Sequence, residues 1–282
     1  MEDKYINLLT DFGFKRVFGT ESNKDLLIHF INLSLPEKHK IKDLKFGDKE
    51  RGGERKEERK VIYDIYCTTK TGKKIIVELQ KTKQEFFKDR SVFYSSDVIR
   101  SQAPKGEWNF ELMPVYTISI LDFIFQSEIE NPNYIHKVQL RDENGQVFYD
   151  KLYYIYIELP KFVKKIEDLE TELDKWLFLI GHIHELKNRP EILKDKIFDK
   201  IFHTAELANY TKMEKIQYQE SLKIHRDLVN SLAYAEKRGE KRKLLGIIKN
   251  CVEEGFTIRQ ISLITKLKEE EIKTIIEEQG WG

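Results

Sequence analysis

The sequence predicts an α/β core followed by a helical C-terminal region. Between residues 61 and 123, short runs rich in β-branched and aromatic residues flank a segment with apolar residues at helical spacing. After about residue 160 the pattern changes to helices that continue to the C-terminus. We therefore expect a first domain over residues 1–160 and a helical region over residues 161–282.

The composition limits the class of protein. A chain of 282 residues can bury a hydrophobic core large enough to fold without disulfide cross-links. Its 49 Lys and Arg nearly balance its 48 Asp and Glu. Any nucleic-acid binding must therefore use a local basic surface. Cys67 and Cys251 lie far apart, which argues against a disulfide framework and a structural zinc site and favours a cytoplasmic location. No segment is apolar and long enough for a signal peptide or a membrane span, so no membrane role is expected.

The first residues predict a helix and then a strand. Ser22 is expected to cap a helix, with Asp25 three positions later, and apolar residues follow at helical spacing as far as Leu35. Pro36 ends the helix, and residues 41–46 suit a strand. The charged run 51–60 is expected to be an exposed connection.

A hairpin forms the centre of the predicted core. Its strands are residues 61–67 and 73–80, and a helix over 86–102 and a buried strand within 111–123 follow them. The predicted order is helix, three-strand meander, helix, strand. A second hairpin turns at 142–145 and continues into a strand over 152–160.

Two acidic residues and one amide are expected to meet on one face of the first hairpin. If Thr69 and Lys73 close a three-residue loop with Gly72 in the left-handed conformation, Asp64 lies opposite Glu78, with Cβ atoms roughly 5 Å apart. Gln80 shares the face of Glu78, because side chains alternate along a strand.

Paired carboxylates repel each other unless a cation lies between them, so this arrangement suits a divalent-metal site. Magnesium could use Asp64, Glu78 and the carbonyl of Leu79, together with several waters. The alternative interpretation is that both acids lie on the solvated face of an amphipathic hairpin.

Several segments resemble one known family in continuous order over about the first 160 residues. The sequence is similar to the recombination-promoting nucleases, also described as transposases, a branch of the PD-(D/E)XK nuclease superfamily. The segments that carry the resemblance are LLTDFGFKRVFG (8–19), YDIYC (63–67), IIVELQ (75–80), KDRSVFYSSDVIRSQ (88–102), KGEWNFELMPVYTISILDF (105–123) and ELPKF (158–162).

The resemblance implies a restriction-endonuclease-like core and Mg²⁺-dependent hydrolysis of DNA, with one or two ions and other divalent cations as alternatives. It makes Asp64 the motif aspartate and Glu78 the second acid, and it places Gln80 where the wider superfamily has lysine. The branch commonly has glutamine there. Because glutamine carries no positive charge, a catalytically weak or inactive DNA-binding scaffold is the alternative to a nuclease.

Further site residues are expected from the helices. Arg90 and Tyr94 lie one turn apart on the helix after the hairpin, and Arg90 could contact phosphate. The alternative is a surface ion pair and a packed tyrosine. Asp11, with Lys15 one turn later, is either the acid that the superfamily often places on its first helix or a helix N-cap.

The C-terminal helices admit two interpretations. Apolar residues recur at helical spacing from Leu244, and Thr257 can cap a further helix. The pattern resembles the helix-turn-helix-like tail of the same family. Because Glu269, Glu270 and Glu271 would repel DNA in the first turn of the last helix, we favour a self-associating bundle that forms a homodimer.

Overall fold

The structure is a computed structural model that describes residues 3–48, 50–51, 61–125, 127 and 129–281. The described residues up to Leu222 form one compact unit, and those from Lys223 onward form a second. The first unit is an α/β fold and the second is helical, as the sequence predicts.

A six-stranded mixed sheet lies at the centre of the first unit. Its spatial order is β1-β4-β5-β6-β8-β7, in which β5 runs parallel to β6 and β6 parallel to β8, whereas the other neighbours are antiparallel. The strands are β1 (Leu44–Phe46), β2 (Glu50–Arg51), β3 (Val61–Ile62), β4 (Ile65–Thr69), β5 (Lys74–Gln80), β6 (Val115–Leu121), β7 (Ile135–Arg141) and β8 (Val147–Glu158). Strands β2 and β3 pair with each other in a small separate sheet.

The helices are α1 (Asp11–Phe18), α2 (Lys24–Ser34), α3 (Phe87–Arg100), α4 (Glu172–His182), α5 (Lys196–Ala205), α6 (Lys212–Glu253), α7 (Ile258–Thr265) and α8 (Glu269–Gln279). Helices α1 to α5 belong to the first unit and cover both faces of the large sheet. The main apolar core joins one face of the sheet to α1, α2, α4 and α5, and α3 covers the other face. Alternation along β5 explains this division, because Ile75 and Val77 belong to the main core whereas Ile76 packs on the α3 side.

Several predicted boundaries differ from those in the structure. Ser22 does not cap α2: it lies in a 3-10 helix over Glu21–Asn23, and Asn23 precedes α2 without a side-chain capping bond. The strand expected over 61–67 is interrupted at Tyr63 and Asp64. Of the connection expected over 51–60, Arg51 belongs to β2, and residues 52–60 lie outside the described residues.

The helical region that begins near residue 160 packs into the first unit. Buried residues of α4 and α5 share the main core with α1 and α2, and the amide of Ile6 donates to the carbonyl of Ala205 at 2.9 Å. The compact unit therefore extends to Leu222. A boundary near residue 160 remains a proposal for the end of the nuclease-like core.

The second unit has a small core of its own. Ile248, Ile261 and Ile272 are fully buried there, one from each of α6, α7 and α8. Thr257 caps α7 as predicted, because its Oγ1 accepts the amide of Gln260. Within the part of the chain that the structure describes, no helix has the length and hydropathy needed to cross a bilayer.

Candidate metal site at the end of the hairpin

The hairpin loop has the geometry that the sequence predicts. The amide of Thr69 donates to the carbonyl of Lys73, and Gly72 has a φ of +84°, in the left-handed region. The ladder then pairs Ile65 with Val77. Asp64 lies one residue beyond this last pair, outside the strand, and its carboxylate interacts electrostatically with that of Glu78.

A row of polar side chains crosses β5, β6 and β8 beneath α3, and Asp64 lies at its end, directly before β4. Glu78 pairs with Ser119 of β6, and Ser119 pairs with Tyr156 of β8. Directly paired residues share a face of a sheet, so Glu78, Ser119 and Tyr156 form one row. The row is buried apart from Asp64, which is half-buried, and this contradicts the alternative that both acids lie on a solvated face.

Asp64 closes the end of the hairpin through its side chain. Its Oδ2 accepts the amide of Leu79 at 2.9 Å, at the interruption between β3 and β4. Burial raises the pKa of Asp64, whereas this hydrogen bond and the cations of Lys15 and Arg90 act in the opposite direction. Asp64 therefore lies within electrostatic reach of both α1 and α3.

Glu78 is the more deeply buried carboxyl group, with 4% of its surface exposed. Burial raises the pKa of Glu78 to about 7; the Asp64 carboxylate adds to this increase and Arg90 opposes it. The Nη2 of Arg90 lies 3.8 Å from Oε2 of Glu78, whereas Oε1 has no hydrogen-bond partner among the described residues. An unpaired buried acceptor costs free energy, which a bound cation would recover.

Gln80 and Arg90 form one hydrogen-bonded unit. The Nε2 of Gln80 donates to the carbonyl of Thr82 at 3.1 Å, and its Oε1 accepts from Nη1 of Arg90 at 3.2 Å. Nη1 also contacts Oε1 of Gln84 at 3.1 Å, and the guanidinium lies 4.8 Å from the ring centre of Tyr94. The structure thus brings Gln80, Arg90 and Tyr94 together beside Glu78.

Asp11 begins α1 but does not cap it. The cap is Thr10, whose Oγ1 accepts the amide of Gly13 at 3.0 Å, so the N-cap interpretation of Asp11 is wrong. Asp11 pairs with Lys15 at 2.7 Å, and both residues act electrostatically on Asp64. Gly13 is required here because a Cβ atom would lie 2.2 Å from the carbonyl oxygen of Asn7.

Two residues beside the site were not singled out in the sequence. Lys81 follows β5 and Asp122 follows β6, and the amide of Asp122 donates to the carbonyl of Gln80 at 2.9 Å. Burial lowers the pKa of Lys81, and the carboxylates of Asp11, Asp64 and Asp122 oppose this. Burial raises the pKa of Asp122 to about 6, opposed by Lys81. Their position after two buried strands was the available signal, because parallel strands end at the same edge of a sheet.

The donor set fits a hydrated divalent cation. Asp64 and Glu78 offer two carboxylates on one row, and among the described residues no group of three or more His, Cys, Asp or Glu could hold a metal. Magnesium commonly uses one or two carboxylates and keeps several waters, so this sparse set suits it better than zinc or calcium. The carbonyl of Leu79 remains a proposed third donor.

Three histidines lie away from this site. The Nδ1 of His29 accepts from the indole of Trp176 at 2.9 Å, and His182 contacts Glu185 at 3.1 Å. His184 lies 3.9 Å from the same glutamate. Each of these three rings therefore contacts a protein side chain.

The fold and site define an α/β protein in which two carboxylates of a sheet hairpin, under a helix that carries arginine, can hold a divalent cation. The chain belongs to the PD-(D/E)XK nuclease family transposases, because the model of that family matches residues 8–235. Membership indicates a nuclease-like or transposase-like function. Neither the curated proteins nor the solved structures contain a match to the chain.

Proposed function

We propose that the protein is a metal-dependent DNA endonuclease that hydrolyses phosphodiester bonds and serves DNA recombination or a mobile element. One observation carries the proposal: Glu78 is buried beside Asp64, and its Oε1 has no protein partner within the described residues. An ordinary sheet gains nothing from a buried acid beside a half-buried one, whereas a cation site uses such a pair. The family match supplies DNA as the substrate class.

Each residue of the site has a proposed role. Asp64, Glu78 and the Leu79 carbonyl would hold Mg²⁺, which when bound would supply positive charge to the phosphate and make a water more acidic. Arg90 would bind the scissile phosphate, because its planar guanidinium suits phosphate oxygens. Gln80 and Tyr94 would hold Arg90 in place, by the 3.2 Å hydrogen bond and by ring contact.

Lys81 and Asp11 complete the proposed site. With glutamine at position 80, that position supplies no positive charge, and Lys81 is the next residue on the chain. Its ammonium interacts with the carboxylates of Asp11, Asp64 and Asp122, so we assign it to the charge that develops on the phosphate. Asp11 would position Lys15 and help to hold the water.

The test is a magnesium titration of plasmid and linear duplex DNA cleavage with the purified full chain. Asp64→Ala and Glu78→Ala should each abolish magnesium-dependent cleavage, whereas Glu191→Ala, which removes an exposed acid outside the site, should retain it. Cleavage that survives both site substitutions would place the active site elsewhere. Circular dichroism would verify that each of the three variants is folded.

A DNA-binding scaffold without catalytic activity is the second candidate. Gln80 favours it, because the amide is occupied by Thr82 and Arg90 and cannot act as a cation. Tight duplex binding by the wild type, with no cleavage at any magnesium or manganese concentration, would establish this candidate. A cytoplasmic location and a homodimer formed through the C-terminal helices are also part of the proposal.

A further inference from the structure

A cavity of about 590 Å³ lies beside the candidate metal site, within the first unit. Asp122 and Leu159, which directly follow β6 and β8, form part of its wall. These are adjacent parallel strands, so the cavity lies at their carboxyl ends, the same sheet edge at which β5 ends in Gln80. Leu9, two residues before Asp11, lines another part.

The lining combines apolar, aromatic and charged residues. Phe162 and Phe178 contribute aromatic rings, and Lys165 and Glu167 are exposed among the lining residues. Val163 has 83% of its surface exposed, which marks an opening to solvent. Aromatic walls with a lysine at the mouth match the chemistry of a nucleotide, which has a flat base and an anionic phosphate.

We infer that this cavity receives one unpaired nucleotide of the DNA strand that is bound at the candidate metal site. The base would lie against Phe162 and Phe178, and Asp122 would offer its carboxyl group to the polar edge of the base. Lys165 would contact the phosphate at the mouth. This inference rests on the proposed function, because it assumes that the DNA strand is bound at the sheet edge next to the candidate metal site.

Gly181 gives a way to fill the cavity without disturbing its walls. It lies on α4 and lines the cavity, and a Cβ atom built there meets no other atom within 4 Å. Gly181→Phe should therefore occupy the space of the base. Gly246, on α6, also has open space at its Cβ position, so Gly246→Phe is the matched control.

The probes are two bulged duplexes that differ by a single base. One carries a single unpaired nucleotide, and the other carries an abasic unit at the same position, so both have the same phosphates. Binding is measured with the full chain in metal-free buffer by fluorescence anisotropy. The wild type and Gly246→Phe should bind the bulge that has a base about tenfold more tightly than the abasic bulge, as expected for one stacked base.

Gly181→Phe should lose this preference while its thermal midpoint remains close to that of the wild type. Gly181→Leu, a smaller filling variant, should give the same loss if the phenylalanine prevents folding. Lys165→Gln should weaken binding of both probes by a similar factor, because it removes only a phosphate contact. A preference that persists in both Gly181 variants, or equal wild-type affinities for the two probes, would overturn the inference.

Cleavage measured in parallel separates this inference from the proposed function. Cleavage of duplex DNA by the wild type without any base preference would support the proposed nuclease function and contradict the nucleotide cavity. A base preference that depends on Gly181, without any cleavage, would support the nucleotide cavity and the scaffold candidate.

Discussion

The burial of Glu78 makes the stability of the protein depend on pH. Burial raises the pKa of Glu78 from 4.5 to about 7, so the folded state binds the proton more tightly than the unfolded state. Its favourable contribution is therefore complete below pH 4.5 and is lost as the pH rises to about 7. At about 1.4 kcal/mol for each pH unit between the two pKa values, the loss is about 3 kcal/mol.

Glu78→Gln should remove this dependence in metal-free buffer. Its free energy of unfolding should exceed that of the wild type at pH 8 and approach it near pH 4.5, measured by urea denaturation with EDTA. Glu191→Gln serves as an exposed control and should follow the wild type. Equal slopes with pH in all three proteins would show that Glu78 does not titrate as described.

Magnesium should reverse the effect in the wild type only. A ligand that binds the folded state raises its stability, so millimolar magnesium should raise the wild-type thermal midpoint at pH 8 and leave that of Glu78→Gln nearly unchanged. This measurement reports metal binding without any DNA. An equal increase in both proteins would place the cation elsewhere.

The contribution of the Lys81 charge to cleavage can be tested separately from that of its side-chain shape. Lys81→Met keeps most of the apolar stem and removes the ammonium, so it should slow single-turnover cleavage by roughly 10²-fold, as for loss of one transition-state donor. Lys81→Arg should retain most of the rate. Lys83→Met, two residues later, is the control and should cleave like the wild type. Unchanged cleavage by Lys81→Met would remove Lys81 from the site.

At the scale of secondary structure, the amino-acid pattern predicts register better than it predicts strand ends. The loop closed by Thr69 and Lys73 follows from a local glycine signal, and it fixes the register of the ladder up to the pair of Ile65 with Val77, next to Asp64. The interruption at Asp64 was not predictable, because it arises where the carboxylate accepts the amide of Leu79. Strand β8 begins at Val147 instead of near 152, because its exposed first half is defined by pairing with β7.

Long-range proximity explains why two neighbours of the candidate site were not predicted. Lys81 and Asp122 become neighbours only because β5 and β6, which α3 connects along the chain, pair in parallel. A local sequence pattern does not specify this pairing. Asp64, Glu78 and Gln80 could be found because they lie on one hairpin.

A buried histidine links three elements on the opposite face of the sheet. The ring of His39 lies 2.7 Å from the hydroxyl groups of both Tyr116 and Tyr153. Burial lowers the pKa of His39, with Lys38 and Lys73 acting in the same direction and Asp150 opposing them. The stability that this group contributes is therefore present above pH 6.5 and is lost as the pH falls through the lower folded-state pKa.

His39→Gln should weaken this pH dependence while the amide keeps part of the hydrogen bonding. Acidification from pH 7.5 to pH 5.5 should change the free energy of unfolding more favourably for the variant than for the wild type, measured by urea denaturation, because only the wild type carries the opposing His39 contribution. His182→Gln alters an exposed histidine and should give the wild-type change. A less favourable change for His39→Gln than for the wild type would contradict this prediction.

At the scale of the whole chain, the family match ends at residue 235, within α6, and most of the second unit lies beyond it. This unit buries Ile261 and leaves Leu263 76% exposed two residues later on the same helix. Glu269, Glu270 and Glu271 occupy the first turn of α8, where the helix dipole favours acids and DNA phosphates would be repelled. These features favour self-association over DNA recognition.

Leu263→Asp should weaken self-association without unfolding the unit. Equilibrium sedimentation should show a lower mass than for the wild type, whereas helix content and affinity for a short duplex at fixed salt should be unchanged. Asn250→Asp adds the same charge at an exposed position of α6 and is the control. Loss of duplex binding at unchanged mass would favour the helix-turn-helix interpretation.

The closed loop between Thr69 and Lys73 makes the number of its residues, together with the glycine at position 72, critical for this hairpin. A substitution within the loop changes one side chain, whereas an inserted residue that slips the pairing by one position turns every side chain of one strand to the opposite face. Asp64 would then face the main apolar core while Glu78 stays under α3. Natural variation should therefore preserve Gly72, whose φ of +84° favours glycine, and the number of loop residues, whereas Lys70 and Thr71 can vary. A panel of one-residue loop insertions, assayed for magnesium-dependent thermal stabilisation, would measure the intolerance to a change in length directly.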